Sequence, residues 1–470
     1  MVHGRQENNA PASKTKEGSV KTFPKDFIWG VASSSFQIEG ATREDGRGPS
    51  IWDTFCMTPG RIADGSDGTI ACDHYHLWER DLDLMKELGI KAYRFSIAWP
   101  RIFPEGRGRK EQRGIDFYKR LVDGMLERGI EPWATLYHWD LPQSLQNYGG
   151  WLVRQTAEAF ADYAETMVEA LKDRVGHWIT LNEPWCSAIL SHRIGEHAPG
   201  FKDGSAAVRA AHHLLLAHGL AMPRMRAMAP QAKHGITLNL TPAVVMGDLA
   251  TDRQEAAIYD GDFNRWYLDP IFRGAYPEDI KRYYEDQGYV SQAQGGWDFI
   301  RGGDLDAIRS NIDFLGVNFY TRAVFGRKRS PEQEKKCLAD PKEYTAMGWE
   351  ICPDDLENLF VRLHRDYSCP AYYITENGAA FDDTLTAQGR VHDTHRVQYY
   401  HEHLRRVHQS IERGIPLKGY FAWSIMDNFE WAHGYAKRFG LVYVDYNNQK
   451  RFPKDSYFYY QKVARTHALP

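Results

Sequence analysis

The chain has 470 residues, of which 43% are hydrophobic and 26% are charged, so it is long enough for two or three average domains or for one large α/β barrel. Its formal net charge is −4 and its pI about 6.6, which gives no global field that would attract nucleic acid or an anionic membrane. No apolar run approaches the length that crosses a bilayer, so we expect no membrane partner.

The first segment, residues 1–20, is polar and has no apolar stretch typical of a signal peptide. We predict a disordered N-terminal tail there and one folded domain over residues 21–470, because no linker or internal repeat divides the rest. The six cysteines have neither Cys-x-x-Cys spacing nor metal-ligand spacing with histidine. We therefore expect free thiols, a cytoplasmic location and no bound metal or cofactor.

From residue 27 onward, apolar β-prone runs alternate with segments of helical period. The predicted strands are residues 27–32, 92–97, 131–137, 178–181, 234–240, 314–317, 372–375 and 419–422. Amphipathic helices are predicted between them, notably over residues 77–88, 115–126, 160–171, 356–363 and 397–411. This alternation predicts a parallel sheet covered on both faces.

Eight such repeats favour the α/β class and a single (β/α)8 barrel, with long loops after the strands, notably over residues 40–68 and 192–204. An open, doubly wound sheet is the main alternative. In a closed barrel the functional residues gather at the C-terminal ends of the strands. Polar, charged or aromatic residues do follow the interiors of several predicted strands, namely His138, Asp140, Asn182, Glu183, Asn318, Tyr320, Glu376 and Trp423. In addition, Arg94 interrupts the apolar run of the second predicted strand.

Carboxylates are the reactive groups that these strand ends offer, since the chain has no phosphate-binding glycine loop and no Gly-x-Ser-x-Gly nucleophile motif. Two carboxyl groups flanking one bond are the usual requirement for glycoside hydrolysis, one protonated and one ionised. Arg94 and Tyr320 would favour the ionised form of Glu376, Arg94 by lowering its pKa. Apolar neighbours after Glu183 would raise the pKa of that carboxyl.

Three short segments carry a resemblance to a known family. Residues 180–184 are Thr-Leu-Asn-Glu-Pro, residues 374–378 are Ile-Thr-Glu-Asn-Gly, and residues 27–40 contain the first predicted strand. The first segment resembles the acid/base motif of glycoside hydrolase family 1, the second its nucleophile motif and the third its N-terminal signature, and the resemblance extends over residues 23–460. Each short motif is weak evidence alone, but in this order and at strand ends they are specific together.

The resemblance implies that Glu183 is the general acid/base and Glu376 the nucleophile of a retaining β-glycosidase that needs no cofactor. It also implies supporting residues at three places. Those beside the nucleophile are Arg94, Asn318 and Tyr320. Those that bind the terminal sugar are Gln37, His138, Asn182, Trp423, Glu430 and Trp431. Trp349, with Trp185 nearby, would form the wall on the aglycone side.

Glu430 bears on the substrate, because family members that act on 6-phosphorylated sugars resemble each other in having a small polar residue there. A carboxylate would repel a 6-phosphate, so we expect unphosphorylated small glycosides such as cellobiose or aryl and alkyl β-glucosides as the partner molecules. β-Galactosidase or β-fucosidase activity stays open, since one carboxylate can serve either 4-hydroxyl epimer.

Two other functions remain open at this point. The first is an endo-acting β-glycanase on a related barrel, which the Gln37 segment and Glu430 disfavour because they suit a closed pocket. The second is a non-catalytic sugar-binding protein on the same scaffold. Such proteins usually lack one of the two carboxylates, and both are present here.

Overall fold

A computed structural model describes residues 21–470, in which eight parallel strands close into a barrel. The predicted tail, residues 1–20, lies outside the described residues. The barrel strands are β1 (Ile28–Ala32), β2 (Ala92–Ser96), β3 (Glu131–Tyr137), β4 (His177–Asn182), β5 (Lys233–Asn239), β6 (Phe314–Asn318), β7 (Tyr372–Asn377) and β8 (Leu417–Trp423). Every predicted strand is confirmed, with its ends within two residues of the predicted ones.

The strand order establishes closure, because each strand pairs with its sequence neighbours and β1 also pairs with β8. In that last pairing Ile28 lies beside Gly419 and Ala32 beside Trp423. The barrel prediction is therefore confirmed, and the open doubly wound sheet is excluded. All eight C-terminal strand ends face the same side of the molecule.

Helices connect the strands, and the five predicted amphipathic ones are confirmed as His74–Leu88, Gln112–Glu127, Arg154–Leu171, Pro353–Tyr367 and Thr394–Glu412. The first ends at Gly89, whose φ of 82° is the left-handed conformation that terminates many helices. The other α-helices are Ser35–Ile38, Ile51–Cys56, Trp99–Ile102, Gln143–Asn147, Gly204–Met228, Ala250–Asp260, Trp266–Arg273, Glu278–Asp286, Asp304–Ile308, Pro331–Leu338 and Asp455–Thr466. Among residues 21–470, no helix is both long and apolar enough to cross a bilayer.

The loops that follow the strands contain short regular segments of their own. Two segments are π-helices, Cys186–Ile194 after β4 and Gly261–Arg265 after β5. Short 3₁₀ turns occur at Gly150–Leu152, Gln292–Gln294 and Trp431–His433. Small two-stranded sheets pair Ala243–Val245 with Ala323–Phe325 and Val442–Asp445 with Lys450–Pro453.

Aromatic side chains fill the inside of the barrel. Trp133 is fully buried, and its ring centroid lies 4.7 Å from that of Tyr373, 4.9 Å from Phe421 and 5.5 Å from Phe314. Such layers of large side chains are typical of this barrel, whose interior is a packed core and not a channel. The core supports the polar side chains at the strand ends from below.

Candidate active site

A cavity of about 490 Å³ opens at the C-terminal ends of the strands. Most predicted site residues line it, namely His138, Glu183, Trp185, Asn318, Tyr320, Trp349, Glu376, Trp423, Glu430 and Trp431. Gln37, Arg94 and Asn182 are buried behind this lining and hydrogen-bond to other site residues or to the loop that carries Glu430. The structure thus brings all the predicted residues to one end of the barrel.

Glu376 is the penultimate residue of β7, and each of its carboxylate oxygens accepts a strong hydrogen bond. Arg94 Nη1 donates to Oε1 at 2.6 Å, and Tyr320 Oη donates to Oε2 at 2.6 Å. Arg94 is 1% exposed, so its charge is little screened by water. A carboxylate held this way presents a fixed, ionised oxygen pair at the cavity wall.

Glu183 follows β4 directly, and its partners are neutral. Asn318 Nδ2 donates to Oε1 at 2.6 Å, and Cys186 Sγ donates to Oε2 at 3.1 Å. The backbone amide of Glu183 donates to the Thr237 carbonyl on β5 at 2.9 Å. The carboxyl is therefore fixed at both oxygens without an ion pair.

Asn182 connects the two glutamates. Its Oδ1 accepts from Arg94 Nη2 at 2.6 Å and from Asn318 Nδ2 at 3.0 Å, and its Nδ2 lies 3.1 Å from His138 Nε2. Thr375 Oγ1 in turn donates to Asn318 Oδ1 at 2.8 Å. One buried network thus fixes the side chains of β2, β4, β6 and β7 relative to each other.

Burial and mutual repulsion set the protonation of the two carboxyls. Burial, with the negative charge of Glu376 second, raises the pKa of Glu183 to about 8, in the direction expected from its apolar flanks. Burial also raises the pKa of Glu376 above its ordinary value, although Arg94 and the Tyr320 hydroxyl oppose that shift. The expectation of a lowered pKa was wrong for Glu376, because desolvation outweighs the nearby cation. Direct contact with Arg94 still makes Glu376 the first of the pair to ionise.

Glu430 is a third carboxyl in the same cavity. Burial first, then the charges of Glu376 and Glu183, raise its pKa to about 8. Its Oε2 is buried and has no hydrogen-bond partner within residues 21–470. Gln37 supports the adjoining loop, since its Nε2 donates to Asn428 Oδ1 at 2.9 Å and to the Phe429 carbonyl at 2.8 Å.

His138 is a neutral imidazole, because burial and the charge of Arg94 hold its pKa well below its usual range. Its Nδ1 is buried and, over the described range, has no partner. The ring is nearly parallel to those of Trp423 and Trp431, with centroid distances of 5.9 and 6.1 Å. Buried polar atoms beside flat aromatic faces are what a sugar ring needs for binding, through its hydroxyls and its C–H faces.

Aromatic side chains also form the outer walls of the cavity. On one side Trp349 packs against Tyr320 at 5.2 Å between centroids. On the other, Trp185 packs on Phe263 at 4.1 Å, and Phe263 on Tyr259 at 5.3 Å. Trp185 directly precedes one π-helix and Phe263 lies in the other, and such segments are frequent at functional sites.

Three residues that line the cavity have a strained backbone conformation. Trp139, Glu183 and Trp431 line it with φ of 78°, 47° and 47°, the left-handed region that non-glycine residues rarely adopt. Such conformations cost on the order of 1–3 kcal/mol each and persist where the surroundings enforce them. Trp139 Nε1, for example, donates to the Asn182 carbonyl at 3.0 Å.

Close backbone packing explains the glycine of the Glu376 motif. A Cβ atom on Gly378 would lie 1.8 Å from the Trp423 carbonyl oxygen. Any larger residue would therefore push β7 away from β8 next to the reactive carboxyl. Asn377 fixes the other side of the turn, since its Nδ2 donates to the Phe319 carbonyl at 2.7 Å.

Several residues that line the cavity were missed in the sequence, among them Cys186, Asn239, Tyr259 and Phe263. Asn239 is the last residue of β5, so the strand-end argument that selected Asn182 and Asn318 applies to it as well. Cys186 has no comparable signal, because its position depends on the turn after Glu183. Tyr259 and Phe263 lie in a helical segment whose aromatic residues resemble core residues. Within residues 21–470, no group of His, Cys, Asp and Glu is placed to hold a metal ion.

Comparisons with known proteins agree with this geometry. The sequence model of glycosyl hydrolase family 1 matches residues 19–469. The chain is 45% identical to beta-glucosidase A of Thermotoga maritima, covering 96% of this chain and 99% of that protein. It is 44% identical to a bifunctional beta-D-glucosidase/beta-D-fucosidase of Bifidobacterium breve, with 95% and 99% covered.

Solved structures give the same result. The Thermotoga maritima beta-glucosidase in complex with deoxynojirimycin superposes with a TM-score of 0.88 at 44% identity, and the match covers 96% of this chain and 100% of that chain. The AHE enzyme from Alicyclobacillus herbarius has a TM-score of 0.89 at 48% identity, with 96% and 99% covered.

Proposed function

The chain belongs to glycosyl hydrolase family 1, and from this premise we propose that it is a retaining exo-acting β-glucosidase in which Glu376 is the nucleophile and Glu183 the acid/base. The observation that carries the proposal is the pair itself. Two buried carboxyls line one cavity, one beside a cation and the other beside neutral donors only.

The reaction has two steps. Glu376 attacks the anomeric carbon, and the bond to the leaving oxygen breaks as Glu183 gives that oxygen its proton. Glu183, now ionised, takes a proton from water, whose oxygen displaces Glu376 and releases the sugar with its original β configuration. The raised pKa of Glu183, about 8, keeps it protonated near neutrality for the first step.

We propose that the terminal sugar lies between Glu430 and the indoles of Trp423 and Trp431. Glu430 Oε2 and His138 Nδ1 are buried polar atoms that sugar hydroxyls would satisfy. A carboxyl at this position offers a 6-phosphate no cationic partner, and it repels the phosphate once it is ionised. The names of the relatives, beta-glucosidase and beta-D-glucosidase/beta-D-fucosidase, support a glucoside as the substrate, with tolerance at the 4- and 6-positions because D-fucose is 6-deoxy-D-galactose.

The aromatic side chains Trp185, Phe263 and Trp349 lie on the outer part of the cavity and suit a small aglycone, such as the second glucose of cellobiose or an aryl or alkyl group. The buried polar atoms Glu430 Oε2 and His138 Nδ1 suit the hydroxyls of a terminal sugar, which favours a chain end over an internal segment of a polymer. We also keep a cytoplasmic location as a proposal, supported by the six free thiols.

Stereochemistry tests the assignment of roles. Glu376→Ala and Glu183→Ala are assayed with 4-nitrophenyl β-glucoside in the presence of azide, and the product is identified by NMR. We expect α-glucosyl azide from Glu376→Ala, because azide then attacks in place of the nucleophile, and β-glucosyl azide from Glu183→Ala. The reverse pattern would exchange the two roles, and full activity of either variant without azide would contradict the mechanism.

A further inference from the structure

Cys186 lines the cavity, and the proposed mechanism gives it no role. It is 5% exposed, and its Sγ lies 3.1 Å from Glu183 Oε2 in donor geometry. The backbone amide of Cys186 donates to the Glu183 carbonyl at 2.9 Å, which closes a turn at the start of the π-helix. This turn brings the thiol back onto the carboxyl three residues earlier.

A second contact fixes the thiol itself. Asn239 Nδ2 lies 3.6 Å from Cys186 Sγ and donates to it. Asn239 ends β5 and lies in register beside Asn318, the last residue of β6, which donates directly to the other oxygen of Glu183. Two neighbouring strand ends therefore hold the two oxygens of one carboxyl, one directly and one through sulfur.

We propose that Cys186 is a positioning residue for the acid/base, and that Asn239 orients its thiol so that the S–H hydrogen bond holds Glu183 Oε2 in both steps of the reaction. This inference rests on the proposed role of Glu183. It goes beyond that role by assigning a function to the thiol and to the end of β5.

The thiol suits this task because it stays protonated. Burial and the adjacent Glu183 carboxyl raise the pKa of Cys186 well above its ordinary value, so the S–H bond persists while Glu183 gains and loses its proton. A donor to a carboxylate favours the charged form, which the second step needs. A thiol is a weaker donor than a hydroxyl, so it stabilises that form without removing the high pKa that the first step needs.

Other groups act on Glu183 as well. The charges that face it come from Glu376 on β7, Arg94 on β2 and Glu430 after β8, with the Tyr320 hydroxyl also in the cavity. Glu430 has a pKa of about 8 too, so the basic limb of the pH profile contains both carboxyls. A pH profile alone is therefore insufficient, and a readout specific to proton donation is needed.

The dependence on the leaving group supplies that readout. Cys186→Ala, Cys186→Ser and wild type are compared on 2,4-dinitrophenyl β-glucoside, whose leaving group needs no proton, and on methyl β-glucoside, whose leaving group needs one. We expect Cys186→Ala to lose about two- to fivefold in kcat/KM on the methyl glucoside, the scale of one weak hydrogen bond, and to change little on the dinitrophenyl glucoside.

The direction of the pH shift gives an independent check. The basic limb of kcat/KM should move to higher pH in Cys186→Ala, because the charged form of Glu183 loses a donor, and to lower pH in Cys186→Ser, which has a stronger donor. Asn239→Ala should shift the limb in the same direction as Cys186→Ala by a smaller amount. Cys352→Ala, an equally buried thiol outside the cavity, is the matched control and should match wild type on both substrates.

The active-site concentration of each variant is measured from the dinitrophenolate burst, so a folding defect is not mistaken for a kinetic one. Equal losses on both glucosides, or identical basic limbs in all Cys186 variants, would overturn the positioning role. Glu183→Ala is measured alongside. If that variant keeps the wild-type leaving-group dependence, Glu183 is not the acid/base and the proposed function fails, whatever the Cys186 variants show.

Discussion

Glu376 and Glu183 are the same residue type in the same cavity, yet their surroundings differ. Glu376 lies within a regular strand and contacts a buried arginine, whereas Glu183 lies just beyond a strand, with φ of 47°, and contacts only an amide and a thiol. Both are buried, so desolvation acts on each. The two carboxyls differ in the charge of their hydrogen-bond donors, because one contacts a cation and the other only neutral groups. Their two chemical roles follow from that difference.

Removing the arginine beside Glu376 should have the largest effect on the difference between the two glutamates. Arg94→Met should reduce kcat/KM by roughly 10²–10³-fold, because a buried carboxylate that loses its charged partner is strongly destabilised and Glu376 would then remain protonated. The acid limb of the pH profile should move to higher pH for the same reason. Arg94→Lys, which keeps the charge but not the paired contacts, should lose less. A wild-type acid limb in Arg94→Met would show that Arg94 does not set the ionisation of Glu376.

Removing the neutral donor at Glu376 is a smaller perturbation of the same kind. Tyr320→Phe deletes the 2.6 Å hydrogen bond to Oε2 and keeps the ring. We expect kcat to fall by about 10- to 100-fold, the range for a hydrogen bond to a charged group, with the acid limb displaced upward by less than in Arg94→Met. Steady-state kinetics over a pH series measures both quantities. An unchanged kcat would mean that this hydroxyl does not act on the nucleophile.

The high pKa of Glu183 predicts a stability effect. A carboxyl whose pKa is about 8 when folded and ordinary when unfolded binds its proton more tightly in the native state. Stability from this group is therefore fully present below about pH 4.5 and is lost as the pH rises towards 8, by on the order of 1 kcal/mol per unit of pKa difference. Glu183→Gln should flatten the fall of Tm between pH 5 and pH 8 and be more stable than wild type at pH 8. A fall as steep as that of wild type would refute the raised pKa.

The smallest expected effect concerns the aromatic wall beside Glu183. Phe263→Ala should lower kcat/KM for aryl β-glucosides by about two- to fivefold through lost contact with the aglycone, and leave methyl β-glucoside nearly unchanged. Phe325→Ala is a useful comparison, because Phe325 packs on Tyr259 at 5.5 Å but does not line the cavity. Equal losses for aryl and methyl substrates would place Phe263 in support of Glu183 and not of the aglycone.

The sequence predicted the strands and the two carboxyls because both leave local signals. A buried parallel strand is a short apolar run, and a polar residue directly after it, such as Asn182 or Glu376, stands out against that run. The contact between Arg94 and Glu376 could be inferred for the same reason, as both belong to strands that share one end of the barrel.

Other features depend on geometry that a sequence does not display. Cys186 reaches Glu183 only through the turn after β4, and a cysteine near a motif carries no signal of a hydrogen bond. The net pKa of Glu376 depends on how much water burial removes, which no neighbouring residue reveals. Gln37 is expected to bind the sugar itself, which stays a prediction. In the structure, both hydrogen bonds that its Nε2 donates go to the loop preceding Glu430.

The identity of the nucleophile is tested most directly by trapping it. A 2-deoxy-2-fluoro β-glucoside with a dinitrophenolate leaving group slows the second step, so the sugar stays attached to the residue that attacked it. Peptide mass spectrometry after digestion should find one labelled residue, Glu376, in the segment Tyr-Tyr-Ile-Thr-Glu-Asn-Gly, residues 372–378. A label on Glu183 or Glu430, or stoichiometric inactivation with no label on Glu376, would contradict the account.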